Sequence, residues 1–263
     1  MRKIDIEECH QILLQIAVAI DEVCTKHSIP YYMIGGTMLG AVRHGGFIPW
    51  DDDFDIAIDR RYYEPFLEKA REELPEYLSV STYSDSNGIF FGFAKIQDSR
   101  TLAIEPTYRV DEKDRNGINI DIFPLDSCSE HPKGYSIIRG LFRVQRFLFV
   151  DSTHPSKLNT LFRKVSRKLC CFDKNYLLRK IDSYIQTYED NAGDCYISYW
   201  SLYGHRTICK KNVFGEPQRY QFESQRFLGP QNADGYLKQL FGDYMQLPPE
   251  EKRRTHCNNL YWK

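Results

Sequence analysis

The chain has 263 residues, 42% of them apolar, with 35 basic and 36 acidic side chains and a formal charge of -1. An aromatic share of 14% excludes a disordered chain, and the near-zero charge excludes a protein that works simply by being basic. No run reaches the ~18 apolar residues of a membrane-spanning helix, MRKIDIEECHQ places acids where a leader would have its apolar core, and eight cysteines without a CxxC pair read as ordinary reduced thiols.

The expectation is therefore a cytoplasmic globular protein with a sizeable core. In chain order, Ile6, Cys9, Leu13, Ile16, Ile20 and Val23 recur every three or four positions and predict a helix over 5–27, stopped by Pro30. Tyr31 to Ile34 reads as a short buried strand running into Gly35-Gly36, and 37–43 as one or two helical turns with Thr37 as N-cap. Phe54 to Ile58 alternates as a strand, and 60–73 returns to helix. Strands are expected at 77–83, 89–97 and 117–123, with a hairpin turn at Asp85-Ser86-Asn87-Gly88 and Pro124 closing the third. From 134 to about 191 the pattern is helical, broken near His154-Pro155 and Asp173. A strand-like stretch at 196–200, a turn at Gly215-Glu216-Pro217, a helix over 233–241 and a helix opening at Pro248-Pro249-Glu250-Glu251 complete the reading. The fold class is α/β (α+β): a mixed-sheet core over 1–126, then a mostly helical extension over 127–263 that completes the site.

The densest chemical signal is GGTMLGAVRHGGFIPWDDDFDI at 35–56. Four carboxylates within five positions repel one another strongly enough to invite a counter-cation. A strand starting at or just after Asp53 projects Asp53 and Asp55 from one face. Two hard oxygen ligands side by side suit Mg²⁺ or Mn²⁺ bridging nucleotide phosphates. Gly35 and Gly36 at a strand end offer backbone N–H groups that approach phosphate closely, helped by the helix N-terminus that follows. An Asp-rich loop alone is more often an inert solvated turn; its coupling to Gly-Gly and an alternating strand favours function here. Asp121 stands between Ile120 and Ile122, so it faces away from the core, either solvated on an edge strand or paired, neutral or metal-bound. Asp126 reads as a cap for the next segment.

This stretch, with IDIFPLD at 120–126 and FGDYMQLPPEEKRRTH at 241–256, closely resembles the LicD family of phosphotransferases and the fukutin-related ribitol-phosphate transferases, members of the nucleotidyltransferase-fold superfamily. The resemblance spans most of the chain and is loosest in the helical middle. It implies a nucleotidyltransferase-like core with Asp53 and Asp55 as the metal-binding pair and Asp121 as the third catalytic carboxylate, with Asp51 the further acid before the pair. It also implies transfer of phosphocholine, or a related alditol or ethanolamine phosphate, from a CDP-alcohol donor to a hydroxyl of a glycan or lipid-linked glycan acceptor. Gly35, Gly36 and Thr37 would contact substrate, and Arg43, His44 and Lys95 are candidates for the cation that shares the leaving group's charge. Trp50 either stacks on a base or headgroup or shapes the turn. Some family members carry His-His where this chain has His256-Cys257, a departure that leaves His256 ambiguous. The rivals are a nucleotidyltransferase that attaches NMP from an NTP, and a catalytically idle member that binds glycan or membrane.

Charge is unevenly spread: 133–180 holds 12 Lys and Arg against two acids, leaving 23 against 34 elsewhere. Arg139, Arg143 and Arg146 share one helical face, and Arg163, Lys164, Arg167 and Lys168 crowd a second helix. Such a run is usually a solvated face; the functional reading is peripheral contact with an anionic membrane at the inner face of the cell membrane. No nucleic-acid module is recognisable. His10, His27, His131 and His154 read as surface residues, Cys128 with His131 and Cys170-Cys171 lack a second matched pair for zinc, and Tyr196, Tyr199, Trp200 and Tyr203 read as a strand's packing face, with a choline-binding aromatic cage as the rarer alternative.

Overall fold

The computed structural model describes residues 1–85, 89–104, 116–149, 174–188, 190, 192–253, 255 and 259–263. The hairpin turn at 86–88, the helix breaks near His154-Pro155 and Asp173, the cationic run Arg163 to Lys168, Cys170-Cys171 and His256-Cys257 lie outside them.

The N-terminal helix forms where its periodicity placed it. Helix α1 (Ile6–Lys26) begins at Asp5, whose carboxylate accepts from the Glu8 N–H, and ends with Lys26 in its last turn. Cys9, Leu13, Ile16, Ile20 and Val23 are buried along one stripe. Strands β1 (Arg2–Lys3) and β2 (Tyr32–Met33) flank it, and helix α2 (Gly35–His44) follows at once. This helix starts two residues before the expected cap. Thr37 does not cap it, because its Oγ1 accepts the Asp55 N–H at 2.7 Å and ties the helix to the next strand instead.

Strand β3 (Asp55–Asp59) leads into α3 (Arg60–Glu73), capped by Asp59. Strands β4 (Leu78–Ser81), β5 (Ala94–Asp98), β6 (Thr101–Ala103) and β7 (Asn119–Cys128) come next. Pro124 does not close β7. The Asp121 N–H bonds the Phe54 carbonyl on the β3 side, so position 124 aims the other way, where β5 pairs only from Ala94 opposite Ile122. The proline therefore removes a donor that the ladder does not use.

The central sheet runs β2-β3-β7-β5-β4, with β3 and β7 parallel and the other neighbours antiparallel. Ile56, Ile58, Ile96, Ile120 and Ile122 are at most 1% exposed, and α1 and α3 pack against these strands. The alternate positions carry Ser81, Lys95, Asp121 and Asp55. Period-two alternation thus gives the sheet one greasy face and one chemical face.

Helix α4 (Tyr135–Phe149) packs on α5 (Lys174–Thr187). The basic stripe expected on α4 divides: Arg139 turns inward and donates to the carbonyls of Tyr199 and Ser201, while Arg143 is exposed. Beyond Thr187 the expected helical remainder gives way to short strands. Strand β8 (Cys195–Ile197) extends β7, β9 (Cys209–Lys210) pairs β8, and the one-turn helix α6 (Lys211–Phe214) precedes a hairpin of β10 (Gln218–Phe222) and β11 (Gln225–Gly229). Helix α7 (Ala233–Phe241) lies where predicted. The Pro248-Pro249 opening yields a single 3-10 turn, Glu250–Lys252. Strand β12 (Leu260–Trp262) joins β1 and β6 in a separate sheet. Of the aromatic run, only Tyr196 lies in a strand; Tyr199 and Trp200 are buried in the turn after it, and Tyr203 is 41% exposed. Among the described residues no helix is long and apolar enough to cross a membrane.

Candidate active site

The site is a row across the sheet. Asp55 of β3 is in register with Asp121 of β7, and Asp121 with Lys95 of β5. Residues directly opposed across paired strands project from the same face at close spacing, so two carboxylates and an ammonium stand side by side. Lys95 Nζ reaches Asp121 Oδ1 at 2.6 Å and Asn119 Oδ1 at 2.9 Å. Burial, then the charges of Asp121, Asp53 and Asp51, push the Asp55 carboxyl well above its ordinary range, with Lys95 opposing them. Asp121 is also raised, by burial and by Asp53 against the pull of Lys95. One ammonium cannot balance this much negative charge, which is what a hard cation with oxygen ligands would relieve.

The turn at Asp51–Asp53 supplies the remaining acids. Carboxylate oxygens of Asp51, Asp52 and Asp53 lie within 4.8 Å of one another; Asp52 is buried and Asp53 exposed. The first two glycines of α2 make room for this chemistry. A side chain at Gly36 would come within 2.8 Å of Asp51 Oδ2, and Gly35 adopts φ +55 with Asp55 Oδ2 close by, positions that favour glycine for clearance and backbone respectively.

Several supports were illegible in the sequence. His10, expected at the surface, stacks on Phe47 at 4.2 Å and bonds the Asp51 carbonyl through Nε2 at 2.6 Å. The β10–β11 hairpin props the turn from below: Phe222 meets Phe47 at 4.8 Å and Phe54 at 5.1 Å, while Glu223 Oε1 accepts the Phe47 N–H at 2.9 Å. Tyr236 of α7 accepts the Gly35 N–H through its hydroxyl at 3.0 Å. Although the Tyr203 ring is partly exposed, the burial of its phenol and then the charges of Asp55, Asp51 and Asp53 push that phenol up to about 12. No periodicity or spacing signals these contacts, which join positions far apart in sequence.

Asp126 is not a cap. It is fully buried and takes Arg60 Nε at 2.7 Å, with Arg60 Nη1 also 3.3 Å from Asp182 of α5. Arg43, His44 and Trp50 form a second group beside the acidic turn, with Arg43 directed to the carbonyls of Tyr244 and Gln246. The structure thus gathers Gly35, Gly36, Thr37, Asp51, Asp53, Asp55, Lys95 and Asp121 in one place and sets the other three along its rim.

Residues 28–139 match the LicD/FKTN/FKRP nucleotidyltransferase domain. Over 97% of its length the chain is similar to the lipopolysaccharide cholinephosphotransferase LicD of Haemophilus influenzae, at 29% identity and covering 97% of that protein. A segment of 50 residues, 19% of the chain, is 40% identical to the ribitol 5-phosphate transferase FKRP of Homo sapiens, of which it covers 10%.

Proposed function

We propose that this chain, which carries a LicD-type nucleotidyltransferase domain, is a phosphotransferase that moves phosphocholine, or a related alditol or ethanolamine phosphate, from a CDP-alcohol to a hydroxyl of a cell-surface glycan precursor. The observation that carries this reading is the in-register row Asp55–Asp121–Lys95. Support for the transferred group comes from the cholinephosphotransferase similar over nearly the whole chain.

In the proposed reaction the acceptor oxygen bonds to the phosphorus that bears the headgroup, and the bond from that phosphorus to the CMP phosphate oxygen breaks. Asp121, whose Oδ1 is held by Lys95, either takes the hydroxyl proton or helps to hold a metal. Asp53 and Asp55 would hold Mg²⁺ or Mn²⁺, which would neutralise diphosphate charge. Lys95 keeps Asp121 oriented and offsets part of the negative charge of the row. Thr37, through the Asp55 N–H, fixes the strand to the start of α2, so the phosphate-facing backbone and the carboxylates keep one geometry.

Product analysis tests the proposal. The chain is incubated with Mg²⁺, a glycan acceptor and CDP-choline, CDP-ethanolamine, CDP-glycerol, CDP-ribitol or CTP. Release of CMP with a modified acceptor from one CDP-alcohol is expected. Pyrophosphate release from CTP would replace the reading with nucleotidyl transfer, and turnover indifferent to EDTA would remove the metal.

A further inference from the structure

Around Trp50 the structure gathers basic groups that backbone carbonyls orient. The Arg253 guanidinium carbon stands 5.2 Å from the centre of the Trp50 ring, and His44 meets the same indole edge-on with ring centroids 6.2 Å apart. Arg43 Nε donates to His44 Nε2 at 3.0 Å, and its Nη1 donates to the carbonyls of Tyr244 at 2.8 Å and Gln246 at 3.3 Å. Arg253 Nε donates to the Pro248 carbonyl at 2.9 Å. Its ion pair among the described residues is a long one, 3.9 Å to Glu250, a side chain 90% exposed. Arg43 and Arg253 thus stand on the two flanks of one His44–Trp50 pair, and burial and then the charge of Arg253 lower the Arg43 pKa.

Bringing two like charges together costs energy that backbone carbonyls only partly return. The chemistry that completes such an arrangement is an anion with several acceptor oxygens, which guanidinium forks bind far better than a point charge does. We infer that Arg43, Arg253, His44 and Trp50 form a phosphate-ester subsite, the two arginines gripping the phosphate and the indole lining the pocket beside it. It deepens the transfer reading and rests on it for its place in the reaction. Trp50 and Asp51 share one turn, closed by the Asp51 N–H to the Ile48 carbonyl at 2.9 Å. A phosphate substrate approaching the acidic row meets repulsion from it, and a cationic post on the next residue would hold the part of that substrate that does not react. Arg253 is thereby assigned to substrate binding.

Either the donor nucleotide or a phosphorylated acceptor presents this ester, and the test has an arm for each. The full chain in EDTA is titrated with CMP and, separately, with a glycosyl phosphate, following tryptophan emission. Of the three tryptophans, Trp200 is 1% exposed and Trp262 donates to Glu8, so the response should vanish in Trp50→Phe. Arg253→Gln should weaken the responding ligand roughly tenfold or more, the scale of a lost charge-assisted contact. Arg253→Lys should recover only part of the affinity. A response to CMP places the donor at the subsite; a response to the glycosyl phosphate alone places the acceptor there. Folded Arg253→Gln binding both ligands like the wild type overturns the inference, and so does wild-type emission that ignores both, whatever the variants do. With metal chelated and no turnover involved, this binding can stand while the product assay fails, and the reverse.

Discussion

Asp121 and Asp126 share strand β7 and sit in opposite settings. Asp126 is sealed from water against Arg60, itself near Asp182. Asp121 keeps a fifth of its side chain exposed, faces Asp55 across the parallel ladder and, among the described residues, pairs with Lys95. A guanidinium gripping a buried carboxylate balances its charge away from water, whereas two adjacent carboxylates sharing one ammonium leave negative charge unmet. The first arrangement locks α3 and α5 to the sheet, and the second is where chemistry is expected. A carboxylate inside an apolar strand is therefore not by itself a catalytic signal; the neighbouring strand decides.

Four measurements would break or sharpen that contrast. Asp55→Asn should cost several kcal/mol of transition-state stabilisation, a loss on the order of 10³-fold in turnover, with a melting temperature equal to or above the wild type because a like charge is gone. A melting temperature that falls with activity would make Asp55 structural. Asp126→Ala should do the reverse, losing about 3–5 kcal/mol in denaturant unfolding by stranding Arg60 while folded molecules keep their turnover. Thr37→Val should leave the Asp55 N–H unsatisfied, at about 1–3 kcal/mol, with activity lowered far less than by Asp55→Asn; unchanged stability would show the bond to be replaceable.

The smallest effect concerns pH. Burial and neighbouring carboxylates raise the folded-state pKa of Asp55, and burial raises that of Asp121, so the folded chain binds these protons more tightly than the unfolded one. Their contribution to metal-free stability is present in the ordinary carboxylate range near 3.8 and is lost as pH rises through the raised values. At neutral pH without divalent metal, Asp55→Asn should therefore melt above the wild type. The gap should narrow on acidification, as a protonated Asp55 comes to resemble the amide. A gap that widens would show that the row holds Asp55 ionised.

The local elements were legible because their causes are local. Helix α1 follows from its stripe and the Asp5 cap, α3 from its periodicity after Asp59, and α7 from the Asn232 cap ahead of Ala233. Pro124 misled because its missing donor matters only where a neighbouring strand would use it, and β5 pairs no further than Ala94. The Pro248-Pro249 opening misled because an opening needs an apolar face to continue, and none follows.

The sequence by itself determined the identity and crowding of the carboxylates, the glycines that leave them space and the alternation that sends Asp121 away from the core. Those are consequences of residue type and of spacing along one chain. Only the tertiary structure decided that Lys95 belongs to the row, that His10, Tyr236 and the β10–β11 hairpin support the acidic turn, and that Arg253 stands over Trp50. Each of these joins segments that chain order leaves far apart, and strand register and packing, which depend on the whole sheet at once, bring them within bonding distance.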